Sequence, residues 1–128
     1  MAITSICGVI LTTRNLDEMK RFYAEALGLR LEREEHGDLE VHYGVDFENR
    51  VHFALHPPGD FEMPDAGHAA AKVAFTVDDL DAHVRKLGEL GHEPFIAPHD
   101  EGFGPVAAFR DPDGNVLELV QLEYDFGS

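Results

Sequence analysis

The chain has 128 residues, 44% hydrophobic and 27% charged, with seven prolines, twelve glycines and one cysteine. That length and apolar share fit one compact domain or two small modules, and exclude wholesale disorder, a disulfide framework and a thiolate zinc site. Ten Lys and Arg against 25 Asp and Glu give a net charge of −15, which repels phosphate backbones, excludes nucleic acid as a partner and favours solubility or a cationic ligand.

Residues 3–13 are β-rich, and their lack of a basic n-region and cleavage site argues against a signal peptide. No run of about 18 apolar residues exists, so no membrane span is expected and a cytoplasmic location follows by default. Asn15 stands as a helix N-cap, with Asp17 and Glu18 in the first turn where the helix dipole favours anions. Met19, Phe22, Tyr23 and Ala26 then recur at helical spacing, and Gly28 closes the helix in the left-handed region. Residues 29–34, 39–45 and 50–56 read as three short strands. Residues 57–69, rich in Pro, Gly and Asp, form a linker in which Phe61 and Met63 are apolar enough to pack on something, such as a partner subunit.

The second half repeats this order. Residues 72–77 are a strand, and Asp78 or Asp79 caps a helix with Leu80, Val84 and Leu87 inward and Gly91 at its end. Residues 93–97, 106–110 and 116–122 are strands, and 98–105 is a flexible loop with Phe103 at its tip. Asp111-Pro112-Asp113-Gly114 makes a strong turn, because Pro presets φ and Gly supplies a positive φ. An offset of 64 residues places Thr12–Leu16 on Thr76–Leu80 and His52–Leu55 on Val116–Leu119. Two copies of one βαβββ unit are the simplest account: module 1 over 1–57, the linker over 57–69, module 2 over 70–124, together one α+β domain.

This doubled pattern, with RFYAEALGL in the first helix and FRDPDGNVLELVQ at the end, resembles the vicinal oxygen chelate superfamily. Its members include glyoxalase I, extradiol dioxygenases and bleomycin-resistance proteins, and the resemblance spans essentially the whole chain. It implies two curled, mostly antiparallel sheets with helices outside, each forming half of a cleft. It also implies metal ligands at Gly8, Ala54, Lys72 and Glu118, of which only Glu118 can bind a cation. No metal and no cofactor are therefore expected.

Strand alternation assigns the cleft faces. His52, Ala54 and His56 face the cleft while Val51, Phe53 and Leu55 pack on the helix. Pairing Val45 with Val51 would set His42 opposite Ala54 and Glu40 opposite His56. Lys72, Ala74 and Thr76 line the second half with Val116, Glu118 and Val120, and Val73 and Phe75 turn inward. Lys72 and Glu118 should form an ion pair in which the ammonium stands where the family's metal charge would be. The predicted ligand-binding set is His42, His52, His56, Lys72, Phe103 and Glu118; catalytic residues are not assigned. Cys7 has helix-facing parity and should be a small buried hydrophobe. His36, His68, His83, His92 and His99 read as structural or surface residues.

Three functional readings follow. The first is a small-molecule binder of the glyoxalase/bleomycin-resistance type with a degenerate metal site, sequestering a drug or metabolite, with a cationic ligand favoured by the acidic charge, as a homodimer. The second is a lyase, isomerase or dioxygenase-like enzyme using cleft His and Glu residues or a displaced metal. The third is an accessory domain with an empty cleft. Fold alone does not choose among them.

Overall fold

The structure is a computed structural model that describes residues 6–34, 41–49, 51–58, 71–102 and 104–122. The chain divides into two compact units, Met1–His68 and Ala69–Ser128. Unit 1 runs β1 (Gly8–Thr12), α1 (Leu16–Arg21), β2 (Glu32–Glu34), β3 (His42–Asp46) and β4 (His52–His56). Unit 2 runs β5 (Lys72–Thr76), α2 (Leu80–Glu89), β6 (Ile96–Asp100), β7 (Pro105–Arg110) and β8 (Val116–Val120). The sheet orders are β1-β4-β3-β2 and β5-β8-β7-β6. Each sheet has one parallel pair, β1 with β4 and β5 with β8, and is otherwise antiparallel. The repeat is visible in the ladders themselves: Gly8 pairs with His52, and Lys72 with Val116, 64 residues on in both strands.

The expected helices form, with one local difference. After α1 the chain widens into a π-helical turn over Phe22–Ala26, in which the amide of Leu27 reaches the carbonyl of Phe22. This turn keeps Met19, Phe22, Tyr23 and Ala26 buried together, and Gly28 leaves it at φ 77°. Asn15 holds the N-cap position but makes no side-chain capping bond; instead its amide donates to the hydroxyl of buried Thr13 at 2.9 Å. In α2 the cap is Asp79, whose carboxylate accepts from the amide of Ala82. Leu80 and Leu87 are buried and Val84 is half-buried, so the inward stripe is as expected.

Three expectations need correction. The β3–β4 register is two residues from the expected one: Val45 pairs with Phe53 and Asp46 with His52. Side-chain period is two, so the shift preserves faces and changes partners. Residues 98–105 are not one loop, because β6 continues through Asp100 and β7 begins at Pro105. Pro94 has no amide hydrogen to offer, and the pairing opens instead with the Phe95 amide on the carbonyl of Ala108. Cys7 is exposed: it precedes β1, and although its carbonyl accepts from the amide of His52 at 2.9 Å, its side chain is not covered.

Burial follows inward parity only in part, since Ala54 and His56 on the opposite face of β4 are buried as well. Phe53, Leu55, Leu117 and Leu119 are buried, while Val51, Val73 and Phe75 are half-buried. In unit 1, Tyr23 lies against Phe53 with ring centroids 5.1 Å apart.

Candidate functional site

The polar face of the unit 1 sheet collects the three predicted histidines. His42 and His56 are buried, and their rings stack with centroids 3.9 Å apart and planes at 17°. This stacking replaces the expected pairing of His56 with Glu40, which lies outside the described residues. Nε2 of His42 donates to Oε2 of Glu34 at 3.0 Å, a cross-strand contact set by the β2–β3 register. His52 is half-exposed; its Nδ1 donates to Oδ1 of Asp46 at 2.8 Å. Its Nε2 lies 3.8 Å from the same Glu34 oxygen. The face therefore carries two carboxylate–imidazole pairs side by side. A cavity of about 340 Å³ in this unit is lined by Asp17, Lys20, Arg21, Ala24, Glu25 and Tyr43, and includes none of the predicted residues.

The unit 2 sheet brings Lys72 and Glu118 together. Glu118 pairs with Ala74 in the β5–β8 ladder, and the Lys72 ammonium reaches diagonally to its carboxylate at 2.5 Å. Hydrogen bonding and charge from Glu118, with Glu101 adding to them, raise the Lys72 pKa above the ordinary 10.5. The ammonium is consequently retained across the physiological range. His99, expected on a loop, lies on β6, where Nδ1 donates to the carbonyl of Ala97 and Nε2 contacts Glu101 at 2.8 Å. The Ala97 bond and then Glu101 raise its pKa above 6.5, with a smaller contribution from Glu118. A raised folded pKa means that protonated His99 favours folding fully below its unfolded value, and the contribution fades as pH rises through the folded value. Replacing Glu101 with Gln is expected to move the His99 NMR titration midpoint down toward 6.5; a midpoint that stays put would show that Glu101 does not hold the imidazolium. Phe103 lies outside the described residues.

Residues 5–119 match the family described as Glyoxalase/Bleomycin resistance protein/Dioxygenase superfamily. The chain belongs to that superfamily. A probable lactoylglutathione lyase from Synechocystis sp. (strain ATCC 27184 / PCC 6803 / Kazusa) is 31% identical over 117 residues, 84% of this chain and 87% of the relative. Among solved structures, TnmS3, an antibiotic binding protein from Streptomyces sp. CB03234, is 26% identical with a TM-score of 0.76, covering 96% of this chain and 99% of that one. A glyoxalase/bleomycin resistance protein from the same Streptomyces strain is 25% identical with a TM-score of 0.73, covering 91% of this chain and all of that one (100%).

The metal that this superfamily implies does not fit the residues at its four positions. Gly8 and Ala54 carry no donor atom, and the Lys72 ammonium occupies the Glu118 carboxylate. A divalent ion at Glu118 would have to displace that ammonium and then sit beside its charge. Among the described residues, no group of three His, Cys, Asp or Glu side chains is arranged to hold an ion. Glu34, Asp46, His99 and Glu101 belong to the polar faces and were missed from sequence. The first two emerge only from the observed registers, His99 only once β6 extends to Asp100, and Glu101, just beyond the strand, only through its contact with His99.

Proposed function

We propose that the chain is a cytoplasmic small-molecule-binding protein that sequesters a drug or metabolite without a metal, and that its ligand is cationic. The observation that carries this reading is the Lys72–Glu118 ion pair, which stands at two positions where the superfamily's metal-dependent members place ligands. Similarity to an antibiotic binding protein supports it, and so does a net charge of −15, which concentrates cations around the molecule. His42, His52, His56, Lys72, Phe103 and Glu118 are the proposed contacts.

The test is a thermal-shift screen with cationic aromatic compounds. A true ligand at about 100 times its Kd adds roughly 2.7 kcal/mol to stability. Replacing Glu118 with Gln should keep the fold and remove most of that shift, and EDTA should leave the melting temperature unchanged. An EDTA-sensitive melt, with near one equivalent of bound metal lost on replacing Glu118, would overturn the metal-free reading.

A second reading, a lyase or isomerase, is favoured by one observation: the Glu34–His42 and Asp46–His52 pairs are arrangements suited to proton transfer. The 31% identical probable lactoylglutathione lyase points the same way. We also propose a homodimer, which leaves fewer open sheet edges. Sedimentation should give about twice the 14.2 kDa chain mass; a monomer mass at micromolar concentration would refute it.

A further inference from the structure

The cavity of about 340 Å³ in unit 1 is lined by none of the histidines, and its walls carry charges of both signs. Asp17, Lys20, Arg21, Ala24 and Glu25 recur at spacings of three and four along α1 and the π-helical turn, so they share one side of that segment. Tyr43 of β3 completes the wall. Its parity is opposite to that of His42, which puts it on the helix side of the sheet, away from the histidine face. The volume lies at the small end of the range for small-molecule pockets.

Asp17 and Arg21, and again Arg21 and Glu25, stand four residues apart, the spacing at which opposite charges on a helix ordinarily pair. Among the described residues, neither pair closes into an ion pair. The π-helical turn accounts for the second. Its bond from the Leu27 amide to the Phe22 carbonyl fits an extra residue into the turn and takes Glu25 off the line through Arg21. Lys20 turns to the sheet instead, with its ammonium 5.4 Å from the centre of the Tyr43 ring. Two cations and two carboxylates thus wall the cavity without contacting one another, together with a phenol ring and a methyl group.

We propose that this cavity is a second ligand site and that it takes a small zwitterion with a flat apolar group, of the class of free aromatic α-amino acids. The ligand carboxylate meets Lys20 and Arg21. Its ammonium meets one of the flanking carboxylates, Asp17 or Glu25, and its ring lies against Tyr43 and Ala24. A simple anion finds two cations there but also two carboxylates that repel it, and a simple cation meets the converse. An α-amino acid holds both charges a few ångströms apart, which suits wall charges on adjacent turns of a helix. The polar sheet faces take no part in this site, so it stands or falls separately from the binding reading.

The experiment titrates the full nitrogen-15-labelled chain at neutral pH with L-phenylalanine, 3-phenylpropanoate and 2-phenylethylammonium, each to about 10 mM, the range of weak fragment binding. The second compound lacks the cationic group and the third the anionic one. L-Phenylalanine should shift the amides of residues 17–25 and of Tyr43 saturably, and each singly charged compound should bind about tenfold more weakly or worse. Asp17, Arg21 and Glu25 are exposed, so substitutions there leave the core untouched. Arg21→Gln should weaken L-phenylalanine by about tenfold, as should one of Asp17→Asn and Glu25→Gln. Glu89→Gln, a charge change on α2, should have no effect. Equal affinity for 3-phenylpropanoate would make this an anion site, and equal affinity for 2-phenylethylammonium a cation site; either result overturns the proposal. So would normal binding by Arg21→Gln, no loss in either carboxylate variant, an equal loss in Glu89→Gln, or no shift at residues 17–25 and 43. Shifts confined to the surroundings of His52 or Lys72 would refute this second site while leaving the binding reading standing.

Discussion

Replacing Phe53 with Ala is expected to destabilise unit 1 by about 3–5 kcal/mol, the usual cost of deleting a buried phenylalanine. Phe53 is 1% exposed and touches Tyr23, which the π-helical turn carries against the sheet. It pairs with Val9 on one side and Val45 on the other, so both neighbouring strands fix its place and the cavity has little freedom to collapse. Its chain neighbour His52 points to the other face and is half-exposed. Replacing His52 with Ala should therefore cost about 1 kcal/mol or less. Urea denaturation of the two variants decides the matter. Similar losses for both would mean that the assigned faces of β4 are wrong.

Replacing Asp111 with Ala should cost unit 2 about 2–4 kcal/mol, through unsatisfied donors rather than lost volume. The Asp111 carboxylate accepts from the amide of Asp113 at 3.0 Å, the amide of Asn115 at 2.9 Å and Nδ2 of Asn115 at 3.0 Å. Asp111 and Asn115 are both buried, so water cannot readily replace the lost acceptor. The backbone closes the same turn, with Gly114 at φ 91° donating to the Asp111 carbonyl at 2.9 Å. Asp111→Asn keeps one acceptor oxygen but sets its own amide against that of Asn115, and should fall between the parent and Asp111→Ala. Equal stability of the parent and Asp111→Ala in denaturant would show that the turn does not depend on this carboxylate.

The turn at Asp111, the two helices and the repeat were legible because each depends on local chemistry or strict periodicity. Pro and Gly in Asp111–Gly114 fix backbone angles directly, and Leu80 and Leu87 follow helical spacing. The Lys72–Glu118 pair was legible for a related reason: face assignment needs only parity. The partners of the histidines were not. Moving β3 by two residues against β4 costs nothing in parity, yet it exchanges Ala54 for His56 as the neighbour of His42 and brings Asp46 to His52. Local sequence did not distinguish these registers, because both keep Phe53 and Val45 inward. The end of β6 was hidden by Pro98, which usually argues against a strand but is tolerated at a sheet edge.

Pro98 has a further consequence for how the molecule meets others of its kind. β6 is the last strand of its sheet and all five of its residues are exposed, the kind of border on which a foreign strand can add and then template another. Here the border is spoiled at two adjacent points. Pro98 has no hydrogen to offer, and the carbonyl of Ala97 is already engaged by the His99 ring. The ladder with β7 also breaks register between Ile96 and His99, which bends the edge away from the straight line that accretion requires. A chain folded in this way can be crowded at high concentration without that margin seeding a fibril.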